Sequence, residues 1–348
     1  MLKKVFIVFG ILILLFIVGS MYAYRSTVEF LNTPFKNERR EVVVLVKKGM
    51  SEGEIAKLLY EKGLVSNQRR FYYFLRFLHK RKGLEVKFGE YSLSPDMTPW
   101  QIAEKMIKRD VIRYKVTIPE GLRYEEVAAI FEKEGFGNAD EFINLCRDRV
   151  FLSSLGIEGE TCEGYLLPET YMLERGVTSR DLFKIIIDEF KKRVNAGYVE
   201  RARQMGLSLY EVLIIASMVE KEAKLDSERP IIASVILNRL KRGMGLFIDA
   251  TVIYGIIRER GGFNGNLTKK DLETPTRYNT YLIKGLPPTP ICNPGIKSIS
   301  AVLMPASTTY LYYVSKNDGS HHFCDTLECH NKAVYKYQIE YFKKNRKR

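Results

Sequence analysis

A chain of 348 residues, 46% hydrophobic and 28% charged, can bury a sizeable core in more than one folding unit, which excludes disorder over most of its length. Its 55 basic and 41 acidic residues leave a net charge of +14, which favours an anionic partner: nucleic acid, a membrane surface or an acidic polymer. Nucleic acid is the weakest of the three, because no helix-turn-helix, RRM-like or zinc-finger signature is present and the aromatics do not interleave with a basic stripe.

In chain order, Lys3 and Lys4 precede an uncharged run from 5 to 24, about the span of a bilayer. A cleaved signal peptide is the alternative to a retained single-pass anchor. The apolar core 5–18 is long for a signal, VGSMYAYR is a poor small-residue cleavage site, and no cysteine follows to accept a lipid. Residues 25–40 (RSTVEFLNTPFKNERR) lack a sustained period and read as a stalk. An internal repeat follows: 43–63 (VVLVKKGMSEGEIAKLLYEKG) aligns at an offset of 72 residues with 115–135 (KVTIPEGLRYEEVAAIFEKEG). Each copy reads as strand, Gly turn, amphipathic helix and terminal Gly, with a looser echo at 91–107. Such modules resemble LysM, a glycan-binding domain; two merely stabilising α+β units would look the same. The stretch 71–83 (FYYFLRFLHKRKG) is aromatic on one helical face and basic on the other, which suits core packing or, near an anchor, a membrane surface.

Further along, 163–171 (EGYLLPETY) reads as a loop and about 181–196 as a helix. Ser208 and Glu211 form a capping-box pattern, so a helix starts there; from Val212 to Val219 only Ser217 is polar, as in a helix buried on all sides. It ends in Glu220 and Glu222. These lie about 200° apart around the helix, so one cleft takes only one of them. Glu220 shares its face with Leu213, Ala216, Ser217 and Ala223, mostly small, and is the better catalytic candidate; Glu222 shares its face with Ile215, Met218 and Val219. A surface pair of Glu220 with Lys224 is the competing reading. Residues 228–246 form another helix with Pro230 in its first turn. Beyond Asp249 the chain reads as loops rich in Gly, Pro, Asn and Tyr, then a strand at 309–315, a tip at NDGSHHF, a last helix and a basic tail, 343–348, read as solvated.

Five cysteines are too few and scattered for a disulfide scaffold, and their odd number leaves at least one unpaired. His321, His322 and His330 cluster with Cys324 and Cys329, but the C-x4-C spacing is long for zinc and no second pair is near, so a disulfide across the tip or unrelated cysteines is favoured and no metal is expected. No P-loop, GxGxxG, GxSxG or HExxH context occurs, and no cofactor is expected.

IIASMVEKEA, SVILNRL, GMGLFIDATVIYG, DLETPTRYNTYLIKGLPPTPICNPG and the late HHF and HN pieces together resemble the MltG-type endolytic murein transglycosylases, or YceG-like proteins, over nearly the whole chain. The resemblance implies an α+β architecture: cytoplasmic tip and transmembrane anchor at 1–24, stalk at 25–40, a LysM-like α/β repeat module at 41–113 and a mixed α+β catalytic domain at 114–348, with 114–160 a second repeat-like unit inside it. It carries the catalytic role to Glu220, the first acid of VEKE. It implies cleavage of peptidoglycan glycan strands at an inner membrane with the catalytic part extracytoplasmic, beside glycan-synthesising and crosslinking machinery. Asn238, Arg239, Tyr254, Asn279, Thr280 and Tyr281 are the polar residues best suited to hold the sugar. Two alternatives stand: a non-catalytic glycan-binding scaffold, and a hydrolase using water, for which Glu163 or Glu169 would be the second carboxylate. The narrow expectation is Glu220 in a cleft, facing the YNTY segment.

Overall fold

The computed structural model describes residues 2–341 and 343, so the basic tail lies, apart from Lys343, outside the described residues. The chain divides into two compact units, one of Met1–Lys115 with Met172–Val177, the other of Val116–Tyr171 with Thr178–Arg348.

The first unit begins with α1 (Leu2–Asn32), a single unbroken helix. The large apolar side chains from Phe6 to Val18 are exposed, and Phe6–Asn32 is long and apolar enough to cross a membrane. The helix continues through residues 25–32, where the Thr27 hydroxyl donates back to the Ala23 carbonyl at 2.8 Å and Phe30 is buried in the core of the unit. Then come β1 (Val42–Val46), α2 (Glu52–Glu61), α3 (Gln68–Lys82), β2 (Gly89–Leu93), α4 (Pro99–Ile107) and β3 (Arg113–Thr117, which straddles the division). β1 and β2 pair antiparallel with Val44 opposite Tyr91, and their alternating inward residues meet the apolar faces of α2 and α3. Ser51 and Glu54 close a capping box at the start of α2, and Gly83 ends α3 in the left-handed region at φ 64°. Both repeat copies fold as strand, turn and helix, the turns made by Gly49 (φ 88°) and Gly121 (φ 78°).

The second unit holds α5 (Tyr124–Lys133), α6 (Ala139–Arg147), α7 (Arg149–Ser154), β4 (Thr170–Glu174, which straddles the division), α8 (Ser179–Arg193), α9 (Ala196–Gln204), α10 (Leu209–Glu222), α11 (Arg229–Lys241), α12 (Asp249–Arg260), α13 (Lys269–Leu272), α14 (Ile296–Leu303), β5 (Tyr312–Ser315), β6 (His321–Cys324) and α15 (Leu327–Val334). Sheets are two-stranded: β1 with β2, β3 with β4, β5 with β6. α10 is the hub. Val212 to Val219 are all buried, and α9, α11, α12 and α14 pack around it. Its one polar core residue, Ser217, donates to the Ile214 carbonyl at 2.7 Å and accepts from the Ile291 amide at 3.0 Å, which removes the penalty of a buried hydroxyl.

α12 corrects the loop reading beyond Asp249. Its β-branched residues and Gly255 lower helix propensity, yet Val252 and Ile256, four apart, bury one face, a case of packing overriding propensity. Gly255 is needed there, because a Cβ would lie 2.3 Å from the Thr276 hydroxyl oxygen. Disulfides join Cys146 to Cys162 and Cys324 to Cys329, and Cys292 is the free, buried thiol. The first pair was not legible in a spacing of sixteen.

Candidate active site

α10 ends at Glu220 and Glu222, and the helix turn sends them to different surroundings. Glu220 accepts three hydrogen bonds. Arg229 Nη1 donates to its Oε1 at 2.9 Å, while the Gly295 amide (2.9 Å) and the Ser298 hydroxyl (2.8 Å) donate to its Oε2. Arg229, itself buried, also donates through Nε to Asp226 at 3.0 Å and lies 3.5 Å from Glu120. The partner of Glu220 is therefore this arginine at the start of α11. The small residues on its face make room for α14 and the segment leading into it.

Glu222 is partly buried and lines a cavity of about 520 Å³ with Arg239, Phe247, Asp249, Tyr281, Tyr312, Tyr313, His321, Leu327 and His330 among its walls. Glu220 is not in that lining, so the YNTY segment, through Tyr281, meets Glu222 and not Glu220. The Tyr313 hydroxyl donates to Glu222 Oε2 at 3.0 Å. Burial pushes the Glu222 carboxyl above the usual range; Tyr313 opposes this and the negative charge of Asp249 adds to it. Burial holds the Tyr313 phenol well above its ordinary value, so it remains a donor. Burial also lowers the His330 imidazole, which stacks on Tyr312 at 5.2 Å between ring centroids.

The sequence-predicted binding residues divide in the same way. Tyr281 donates to Asp249 at 2.6 Å and lines the cavity. Arg239 lines it too, but its guanidinium is committed to the carbonyls of Leu311 (2.6 Å), Leu246 and Gly245 and lies over the Phe247 and Tyr312 rings. Asn238 donates to the carbonyls of Thr308 (2.9 Å) and Tyr310 (3.0 Å), fastening the segment before β5. Asn279 holds its own loop through Leu272 and Thr274, and Thr280 shares a buried hydroxyl contact of 2.9 Å with Thr251. Tyr254 is buried elsewhere, donating to Glu163 at 3.1 Å.

Glu163 is fully buried and receives four donors, from Tyr124, Asn293, Tyr254 and Arg258. Burial nevertheless pushes its carboxyl up to about 8, against the pull of Arg258. Glu169 pairs with Arg193. Neither is among the cavity walls; the second carboxylate there is Asp249.

Of the cavity walls, Asp249, Phe247, Tyr312 and Tyr313 were not among the residues singled out from the sequence, and Glu222 was weighed there as the lesser of the two glutamates. Two signals were available: the alternation of tyrosines in TYLYYVS, and an Asp at a helix start straight after a Gly-containing turn. Phe247 carries a left-handed backbone at φ 51°, uncommon for a bulky residue, and its ring tilts against Tyr281 at 5.3 Å. The His322, Cys324 and Cys329 ligand atoms lie within 4.8 Å of one another, but the two sulfurs are bonded to each other and are spent as metal ligands.

A partly buried carboxylate set among aromatic walls and a few polar groups defines a concave site suited to a polar ring-shaped ligand. Residues 44–336 match the model of the YceG-like family, and the chain belongs to that family. It is similar to the endolytic murein transglycosylase of Bacillus subtilis (strain 168), 31% identical over 338 residues, 92% of this chain and 91% of that protein. A second relative, the endolytic murein transglycosylase of Streptococcus pneumoniae serotype 2 (strain D39), is 25% identical over 363 residues, 95% of this chain and 65% of that one. Among solved structures, a crystal structure of a yceG-like protein from Listeria monocytogenes aligns with a TM-score of 0.56 at 29% identity, covering 85% of this chain and 100% of that chain.

Proposed function

We propose that this protein is a membrane-anchored peptidoglycan lytic transglycosylase that cuts glycan strands internally, with Glu222 as general acid and then base. One observation carries the assignment of the acid: Glu222, not Glu220, opens onto the aromatic cavity, with Tyr313 as its one hydrogen-bond partner among the described residues. A general acid must hold its proton near neutral pH. Burial and the charge of Asp249 favour that for Glu222, while Glu220 is engaged by Arg229, Ser298 and the Gly295 amide away from the cavity.

In the reaction the Glu222 carboxyl gives its proton to the glycosidic oxygen between MurNAc and GlcNAc as the C1–O bond breaks. The MurNAc C6 hydroxyl attacks C1, and its proton returns to the Glu222 carboxylate, leaving a 1,6-anhydro ring. No water is consumed. The nucleophile is tethered to the reacting sugar, so proximity removes part of the barrier. Tyr281, Tyr312 and Phe247 offer ring faces to the sugars, and Tyr313 holds Glu222 in register. Asn238, Arg239, Asn279, Thr280 and Tyr254 act as supports of the cavity walls and of the core.

Asp249 favours one second reading, a hydrolase in which it activates water across the cavity. The test is a digest of purified glycan strands with mass spectrometry of the ends. Products ending in 1,6-anhydroMurNAc, abolished in Glu222→Gln, support the lytic reading; reducing ends support the hydrolase; fragments released undiminished by Glu222→Gln remove Glu222 from the mechanism and favour a glycan-binding scaffold with another catalyst.

α1 as a single-pass anchor at the cytoplasmic membrane, with the rest of the chain outside the cytoplasm, suits this substrate, as does the net charge of +14 towards an anionic wall polymer. The antiparallel β1–β2 pair with α2 and α3 between is read as a LysM-like glycan-binding module. Peptidoglycan synthases are the partners this role implies.

A further inference from the structure

A groove of about 550 Å³ in the first unit plays no part in the chemistry above. Its walls are Tyr24, Thr27, Val28, Phe30 and Leu31 from α1, Arg70, Tyr73, Phe74 and Phe77 from α3, and Trp100 from α4. Tyr73, Phe77 and Trp100 are 66%, 53% and 46% exposed, more aromatic surface than core packing of α3 requires. Arg70, Tyr73, Phe77 and Arg81 recur at helical spacing along one stripe of α3, beside its buried face of Phe71, Leu75 and Leu78. Among the described residues no carboxylate pairs with Arg70 or Arg81, and the Arg70 guanidinium lies over the Phe30 ring at 5.8 Å.

The position of this face follows from α1. The uncharged run 5–24 spans roughly 30 Å at about 1.5 Å per residue, the thickness of a hydrocarbon core. Tyr24 therefore stands at the hydrocarbon edge, and Leu31 lies roughly 10 Å beyond it on the same unbroken helix, across a headgroup layer about 5–8 Å deep. Phe30 is buried in the core and α1 packs on α4, so the groove is fastened at that level and does not swing on a free tether.

We infer that the aromatic and basic face made by the end of α1, α3 and α4 docks in the anionic headgroup layer of the bilayer, its aromatic rings at the acyl boundary and its arginines on lipid phosphates. The inference rests on the reading of α1 as an anchor. Aromatic rings with one polar edge and flanking cations are the side chains that favour this layer.

Trp100 is the chain's one tryptophan and reports on the groove without any label. The full-length protein is reconstituted in nanodiscs of phosphatidylglycerol, with and without brominated acyl chains. The expected result is strong quenching of Trp100 by the brominated lipid and little by aqueous acrylamide; Tyr73→Ser/Phe77→Ser protein, altered only at exposed positions, loses most of the lipid quenching. Protein retained in the discs with Trp100 open to acrylamide and untouched by brominated lipid overturns the docking and leaves the anchor standing. Trp100 shielded from both quenchers means that another protein surface, such as a second copy, covers the groove, and overturns it equally. Protein that washes off the discs removes the anchor reading, and the docking with it.

Discussion

Two carboxylates two residues apart on α10 meet opposite fates. Around Glu220 the protein supplies an arginine, a hydroxyl and a backbone amide. Around Glu222 it supplies one phenol, a neighbouring aspartate and open space. Both are withdrawn from water, so burial alone does not tell them apart. Their partners do: three donors converge on Glu220, and one, the Tyr313 phenol, on Glu222.

The largest expected effect tests that contrast directly. Glu222→Gln should lower turnover of glycan strands by about 10²–10⁴-fold, the usual range for a general acid, and leave the folded state intact by circular dichroism. Equal turnover of the variant and the parent would break the contrast. Next, Arg229→Met leaves Glu220 buried without its cation and should cost about 3–5 kcal/mol of stability in urea denaturation, as loss of one partner of a buried pair generally does. A loss of activity with unchanged stability would instead make Glu220 the chemical residue.

The pH dependence comes third. Activity needs protonated Glu222, so kcat/KM falls as pH rises through its elevated pKa. Tyr313→Phe removes a donor to the ionised form and should move that limb to higher pH, by about 1–2 units if the bond is worth the usual 1.5–3 kcal/mol for a charged acceptor. Asp249→Asn removes a repelling charge and should move it the other way. Stability carries the same sign. A carboxyl whose folded pKa is raised binds its proton more tightly in the native state, so its contribution is present below the unfolded pKa and is lost as pH rises through the folded one. Glu222→Gln should therefore equal the parent in acid and exceed it at neutral pH. The smallest effect belongs to Tyr281→Phe, which removes one hydrogen bond to Asp249 and should cost about 1 kcal/mol, read as a severalfold rise in KM.

Much of the scaffold was legible because it is local. The Ser208 and Glu211 box fixed the start of α10, the uninterrupted apolar run from Val212 to Val219 announced burial on every side, and the repeat yielded two strand-turn-helix segments. Helical geometry also separated the two glutamates. Their environments, however, come from far along the chain: Ser298 reaches Glu220 across 78 positions, and Tyr313 reaches Glu222 across 91. Small neighbours on the Glu220 face suggested room for a ligand, yet such residues equally admit a closely packed helix, and periodicity does not distinguish the two. The family resemblance carries the catalytic role to Glu220, whereas the aromatic cavity is lined by Glu222, two residues on.

Phe247 extends the lesson from charge to backbone. Its left-handed φ costs roughly 1–3 kcal/mol for a residue of its kind, and the tip of its ring closes over Gly245, where a Cβ would lie 2.8 Å from the Phe247 Cζ. A glycine at 247 would relieve the strain and remove an aromatic wall of the cavity in one step. Position 247 is therefore where backbone strain and an aromatic wall of the cavity can be weighed against each other in a single substitution.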